Sequence, residues 1–249
     1  MDIVQSFYDN LAPQYDKLYL DWKSATDEQA LMLSKLLEAN GYDKSIKILD
    51  CACGIGTQAI GLAKLGYNVT ASDISCGVLA EARKRAEDVN ICFKSADFRA
   101  LSQSFSQKFD VIIAMDNALP HMLTKEDLQM ATESIADSLL PVGMFVASIR
   151  DYDALLPTKP PYSAPYIHNT EKGQRISFQT WQWNGDNYKL IQYIIEDEET
   201  LATSKFECEY RAVTREELTN LFLSSGFSCV EWKLPEETDF YQPILIAKK

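Results

Sequence analysis

Residues 26–40 carry Leu31, Leu33, Leu36 and Leu37 at helical spacing, and Gly41 supplies a stop. Beyond it, short apolar runs alternate with longer amphipathic ones. The runs 45–52, 67–73, 90–97, 108–116 and 143–151 read as strands, the fourth the most apolar. The segments 57–66, 75–88 and 125–141 read as helices, the last stopped by Pro141-Val142-Gly143. Strands alternating with helices imply right-handed βαβ units and a parallel sheet covered on both faces. The pattern then changes. Residues 151–165 are rich in proline and mark an irregular crossing. The runs 176–183 and 187–199 flank Asn184-Gly185 and read as a hairpin, with 205–213 a third strand. A helix over 214–226 and strands over 227–234 and 243–249 end the chain. The fold class expected is therefore α/β, a doubly wound sheet with an antiparallel insertion.

Four segments follow from this pattern. Residues 1–40 form an N-terminal arm and helix, 41–150 the α/β core, 151–210 the antiparallel lid, and 211–249 the end of the core sheet. The first 22 residues are aromatic-rich and polar, a flexible arm or a cap over a site.

Composition narrows the partners. The 249 residues are 46% hydrophobic, enough for a real core. Their formal net charge of −12 repels polyanions, so neither nucleic acid nor an anionic membrane is the expected partner. No apolar run approaches a membrane span, and the start MDIVQSFYDN is not that of a signal peptide. The six cysteines include Cys51 and Cys53 but no C-x-x-C pair, and only His121 and His168 could join them. Buried thiols in a reducing cytoplasm are expected, without a metal.

The chemistry starts in ILDCACGIGTQAIG, residues 48–61. Its Gly54, Gly56 and Ala59 fit the dinucleotide loop G-x-G-x-x-G/A. Four acids, Asp50, Asp73, Asp97 and Asp116, fall at successive strand ends, where open parallel sheets bind ligands. Asp73 suits ribose hydroxyls of any adenosine compound. Asp50, four residues before the first glycine, discriminates. It repels a pyrophosphate and favours a cation. S-adenosylmethionine, with a sulfonium, an ammonium and no phosphate, matches the loop better than NAD. Other readings stay open: the glycines as a plain tight turn, and Asp97 as cap of a short helix at Phe98-Arg99.

LDCACGIGT, ASDIS, SADFR and FDVIIAMDN together resemble class I S-adenosylmethionine-dependent methyltransferases. That resemblance implies a seven-stranded, mostly parallel, Rossmann-like sheet. YDNLAPQYDKLYLDW, MDNALPHML and SIRDYDALL are similar to the glycine and glycine/sarcosine N-methyltransferase group. This narrower resemblance implies that Arg150 grips a substrate carboxylate with help from Asn117. It implies a cofactor pocket made by Tyr15, Tyr19, Asp50, Ala52, Gly54, Gly56, Asp73, Asp97, Phe98, Met115 and His121. Tyr193 and Tyr210 of the lid carry over as substrate contacts only loosely.

A guanidinium suits an amino-acid substrate because it can clamp a carboxylate with two hydrogen bonds. A structural ion pair of Arg150 with Asp151 or Asp153 is the competing reading. His121 could be a base, a cofactor neighbour or a satisfied core histidine. Tyr15, Tyr19, Trp22, Trp181 and Trp183 suit a sulfonium through their ring faces, or are plain packing. Asp116-Asn117-Ala118-Leu119 lacks the [N/D]-P-P-[Y/F] loop common in enzymes that methylate nucleobase amines. The expected function is methyl transfer to the amine of a small molecule such as glycine or sarcosine. The alternative is another small-molecule amine or hydroxyl, as in natural products. A non-enzymatic cofactor-binding protein and an NAD oxidoreductase fit less well. Monomer and homo-oligomer are both open.

Overall fold

The structure is a computed structural model that describes residues 3–171, 173–196 and 201–249. Helix α1 (Ile3–Leu11) and a 3-10 turn (Ala12–Leu18) precede helix α2 (Trp22–Ala39). The core then alternates: β1 (Lys47–Asp50), α3 (Thr57–Lys64), β2 (Asn68–Asp73), α4 (Cys76–Arg85), β3 (Cys92–Ser95), α5 (Leu101–Ser104), β4 (Phe109–Ala114), α6 (Lys125–Ser138) and β5 (Leu139–Ser148). After α7 (Tyr152–Leu155) come β6 (Tyr166–Thr170), β7 (Gly173–Asn184), β8 (Asn187–Glu196) and β9 (Ala202–Arg211). Helix α8 (Arg215–Ser224), β10 (Cys229–Lys233), α9 (Pro235–Thr238) and β11 (Ile244–Lys248) complete the chain.

Seven strands form one sheet in the order β10-β11-β5-β4-β1-β2-β3, and four form a second in the order β6-β7-β8-β9. In the large sheet only β11 runs antiparallel to its neighbours, pairing with both β5 and β10. The apolar runs are continuous because each strand feeds both faces. Leu49, Ile112 and Phe145 pack on one side, with α6 and α8. Ile48, Val111 and Val146 pack on the other, with α2. The reversal of strand order lies between β1 and β4, which opens a crevice at their carboxyl ends.

Several boundaries differ from the sequence reading. The helix expected to reach 141 stops at Ser138, and β5 starts at Leu139, which pairs with Phe109. Pro141 favours an extended residue before it, so the strand wins there. Strand β6 falls between the irregular crossing and the hairpin of the sequence reading, where no strand is expected; it is an edge strand with mostly exposed side chains and no alternation of its own. The hairpin turn is Gly185-Asp186, flanked by the pair Asn184 and Asn187. Gly185 takes the positive φ of 61° at the first turn position, as a two-residue hairpin loop of the II′ kind requires. The expected strand over 187–199 is seen to Glu196, and its last three residues lie outside the described residues. The N-terminal arm is folded. Asp9 of α1 accepts from the Gly77 N–H at 2.8 Å and the Ser75 hydroxyl at 2.6 Å, which docks the arm on the start of α4. Among the described residues, no helix is long and apolar enough to cross a membrane.

The antiparallel sheet turns one face inward. Tyr188, Leu190 and Ile194 of β8 and Cys208 and Tyr210 of β9 join the same apolar cluster as the core sheet. The lid is therefore packed onto the crevice side rather than tethered beside it.

Candidate functional site

A cavity of about 320 Å³ lies in the crevice. It is lined by the β1–α3 loop, by the ends of β2, β3 and β4, and by the N-terminal arm. Gly54 and Gly56 adopt φ of 52° and 91°, the left-handed region that disfavours a side chain. A Cβ on Gly54 would sit 3.4 Å from the Tyr15 ring, so the loop is cradled directly beneath that ring. The Gly54 N–H donates to Asp73 Oδ2 at 2.9 Å, and Asp73 Oδ1 accepts from Ser75 N–H at 2.9 Å. Asp73 thereby positions the loop as well as facing the cavity.

Most residues expected at the cofactor converge here. Tyr15, Tyr19, Ala52, Gly54, Asp73, Asp97, Phe98, Met115 and His121 all line the cavity. Asp50 and Gly56 lie one layer behind. Asp50 is fully buried; its Oδ1 accepts weakly from Ala52 N–H, at 3.4 Å, and its Oδ2 has no partner. Burial raises the Asp50 pKa far above the ordinary carboxylate range, and the charges of Asp73 and Asp116 add to that. An acid left this way is relieved by a cation entering the cavity, and a phosphate would worsen it.

At the opposite end Asp97 caps the short 3-10 helix Phe98–Ala100 by accepting from Arg99 N–H. The Arg99 guanidinium grips both Asp97 oxygens and donates to Asp127 at 2.8 Å. Asp97, Phe98, Arg99 and Asp127 form one wall of the cavity.

His121 is buried and its pKa is driven down to about 3, chiefly by burial and then by the nearby Arg150 charge. It is neutral at physiological pH and cannot serve as a base of ordinary strength. Its Nε2 is 2.9 Å from the Tyr8 hydroxyl, and its ring lies 4.2 Å from that of Tyr210.

The residues expected at the acceptor gather next to the cavity, behind His121 and Tyr210. The Asn117 Oδ1 accepts from the Arg150 backbone N–H at 3.0 Å and from the Tyr152 hydroxyl at 3.1 Å. Its Nδ2 is buried without a partner. Arg150 is half-buried between the rings of Trp181 and Tyr210, each 5.3 Å away. It donates to the Tyr188 hydroxyl at 2.6 Å and to Gln179 Oε1 at 3.0 Å. Burial works against its charge, but the surrounding tyrosine hydroxyls outweigh burial and keep it protonated. Asp151 and Asp153 bind Arg215 instead, so the ion pair weighed in the sequence is not formed. Tyr193 is not brought to this group. It pairs with Phe178 on the other face of the lid sheet, because its register is odd where Tyr188 and Gln192 are even.

The aromatics divide. Tyr15 and Tyr19 face the cavity, whereas Trp22 covers Arg85 and bonds Thr57. Trp181 and Trp183 lie against Arg150 and Lys159, cations of the protein itself. Sequence reasoning missed Tyr8, Gln58, Tyr152, Tyr188, Gln179 and Tyr241. Tyr8, Gln58 and Tyr152 lie inside the quoted stretches without being singled out, whereas Gln179, Tyr188 and Tyr241 carry no motif and reach the site from the lid and the carboxyl-terminal segment.

The fold and loop define a Rossmann-like α/β protein with a cavity at the carboxyl ends of its strands, and the comparisons with known proteins agree on the fold. Residues 48–143 match the model of the "Methyltransferase domain" family. A glycine/sarcosine N-methyltransferase of Parasynechococcus marenigrum (strain WH8102) is 27% identical over 154 residues, which span 61% of this chain and 53% of that protein. The chain thus spans about half the length of such curated relatives. A methyltransferase structure from Clostridium acetobutylicum ATCC 824 superposes with a TM-score of 0.74 at 19% identity, covering 97% of this chain and 98% of that one. The S-adenosylmethionine-bound amino pentose methyltransferase CalS10 of Micromonospora echinaspora gives 0.71 at 16%, covering 90% and 91%. Residues 48–143 are thus a methyltransferase domain, and the chain has the fold of S-adenosylmethionine-dependent methyltransferases. S-adenosylmethionine, the cofactor of such enzymes, fits the residues present: Asp50 offers an unpartnered acid and Gly54 a cradle closed by Tyr15.

One consequence concerns pH. Burial raises the Asp73 pKa from 3.8 to about 6, against the pull of its backbone donors. Both the ribose hydroxyls and the cationic cofactor prefer the carboxylate. S-adenosylmethionine affinity is therefore expected to be flat above pH 6 and to fall up to about tenfold per pH unit below it. The ligand-free fold responds in the opposite sense. A raised folded-state pKa contributes stability that is fully present below about pH 4 and lost as pH rises through about 6. Calorimetric titration between pH 5 and 8 measures the first effect. An affinity independent of pH would remove Asp73 from cofactor binding.

Proposed function

We propose that this chain transfers the methyl group of S-adenosylmethionine to the amine of a small amino acid, glycine or sarcosine being the type. The observation that carries the proposal is Arg150. Among the described residues no carboxylate pairs with it, and it stands beside the buried, unpartnered Asn117 Nδ2. A substrate carboxylate there would gain charged hydrogen bonds in a setting already half dry. The glycine/sarcosine relatives support the same reading at low identity.

The cofactor supplies a methyl group on a sulfonium, open to in-line displacement. The protein's part is positioning and the exclusion of water. Arg150 and Asn117 hold the carboxylate end, and the arm residues Tyr8, Tyr15 and Tyr19 close the cavity. The amine must be neutral to attack, and a neighbouring sulfonium disfavours its protonated form. Neutral His121 adds no positive charge to oppose either cation.

A second reading is favoured by one observation. The Arg150 fork is already engaged by Tyr188 and Gln179. That arrangement suits an anchor of the lid, with an amine or hydroxyl of another small molecule as acceptor. A panel of amines with methyl-labelled cofactor separates the two. Turnover of glycine or sarcosine supports the first. Turnover of amino sugars or other amines, with none of any amino acid, supports the second.

A further inference from the structure

Asp116 takes no part in the proposed transfer, yet its setting is unusual. It closes β4, and it and Asn117 are two consecutive non-glycine residues in the left-handed region, with φ of 57° and 70°. Such backbone is sparsely populated and persists only where the surroundings enforce it. Here the Asp116 N–H donates to Ser148 Oγ at 2.8 Å and the Asn117 N–H to Ser148 O at 3.0 Å. The Ser148 hydroxyl is fixed in turn by Gln242 Oε1 at 2.8 Å. The result of this bracing is that the Asp116 side chain lines the cavity.

Its carboxylate is held from two distant segments, and both donors are neutral. The Tyr241 hydroxyl donates to Oδ1 at 2.6 Å and Gln58 Nε2 donates to Oδ2 at 2.8 Å. Gln58 Nε2 also donates to Gln29 Oε1 at 2.6 Å, which fixes the amide. Among the described residues neither Lys nor Arg pairs with Asp116 or with Asp50, whereas Arg99 neutralises the acids of the far wall. One end of the cavity therefore holds two acids without a basic partner, walled by neutral donors and tyrosine rings, and a cation bound there would favour their charged forms.

We propose that Asp116 is the anchoring carboxylate for an ammonium group at this end of the cavity. Two sources share that chemistry, the amino-acid tail of the cofactor and the amine of the acceptor. The acceptor source rests on the N-methyl-transfer reading above; the cofactor source does not. Tyr241 and Gln58 hold the two oxygens in fixed directions and leave the remaining lone pairs for the cation.

The test is Asp116→Asn, which keeps the shape and removes the charge; its amide oxygen can accept from Gln58 while its nitrogen donates to the Tyr241 hydroxyl, which can turn to accept. Dissociation constants are measured for S-adenosylhomocysteine, which has the amino-acid tail, and for methylthioadenosine, which lacks it. Acceptor KM is measured at saturating S-adenosylmethionine. If the cofactor is the source, S-adenosylhomocysteine weakens at least tenfold while methylthioadenosine stays within twofold. If the acceptor is the source, both dissociation constants hold and acceptor KM rises at least tenfold with kcat within threefold. An unchanged methylthioadenosine constant also shows that the variant is folded. The proposal is overturned if no constant moves threefold, or if both nucleosides weaken together. Should the wild-type protein methylate no amine, the N-methyl-transfer reading fails separately, and the S-adenosylhomocysteine result alone decides the role of Asp116.

Discussion

Arg150→Met is expected to raise the KM for an amino-acid acceptor by 30-fold to 1000-fold, with S-adenosylhomocysteine affinity within threefold of wild type. Methionine retains most of the apolar stem between Trp181 and Tyr210, so packing is largely kept. What is lost is the charge. Charged hydrogen bonds in partly dry sites are worth about 2–4 kcal/mol in total, which sets the range. The cofactor cavity does not include Arg150 in its wall, so nucleoside binding is spared. Steady-state kinetics with varied acceptor and a separate calorimetric titration give both numbers. The opposite pattern would be a small change in KM with a marked loss of thermal stability. That outcome would make Arg150 the tie between β5 and the lid, through Tyr188 and Gln179, and would remove the carboxylate clamp.

Asp73→Ala is expected to weaken S-adenosylmethionine binding by at least a hundredfold. Two effects add. The carboxylate that would accept from the ribose is gone, at about 1.5–3 kcal/mol for each hydrogen bond to a charged group. The N–H groups of Gly54 and Ser75 also lose their acceptor, so the glycine loop is released from its left-handed conformation. Isothermal titration, with circular dichroism as a check on folding, measures this. Tight binding by a folded Asp73→Ala protein would show that the loop alone holds the nucleoside. Asparagine is a poor substitute at this position. Both carboxylate oxygens receive a backbone N–H, so the amide nitrogen would face a donor in either orientation.

The core could be read from the chain because it rests on local chemistry. Apolar runs such as Val111-Ile112-Ile113 send neighbouring side chains to opposite faces of one sheet. Only a strand covered on both sides tolerates that, so the parallel sheet follows. The glycines, Asp50 and Asp73 were legible for a similar reason, since loop conformation and charge at a strand end depend on residues a few positions apart. Strand β6 was not legible, because an exposed edge strand carries no alternation and is defined by its partner. Tyr193 was misplaced because facing alternates at every residue along β8, and only the observed register assigns it to the outer face.

The sequence by itself determined an α/β sheet, a loop suited to a cationic nucleoside, and acids at the strand ends. Those properties are carried by spacing and charge within short segments. The tertiary structure decided what those residues do together. It gave Asp151 and Asp153 to Arg215, left Arg150 between two rings, and neutralised His121 by burial. It also brought Tyr241, 125 positions away, to within 2.6 Å of Asp116. Contacts between distant segments depend on how layers pack and which water they exclude, and neither is written in the order of the residues.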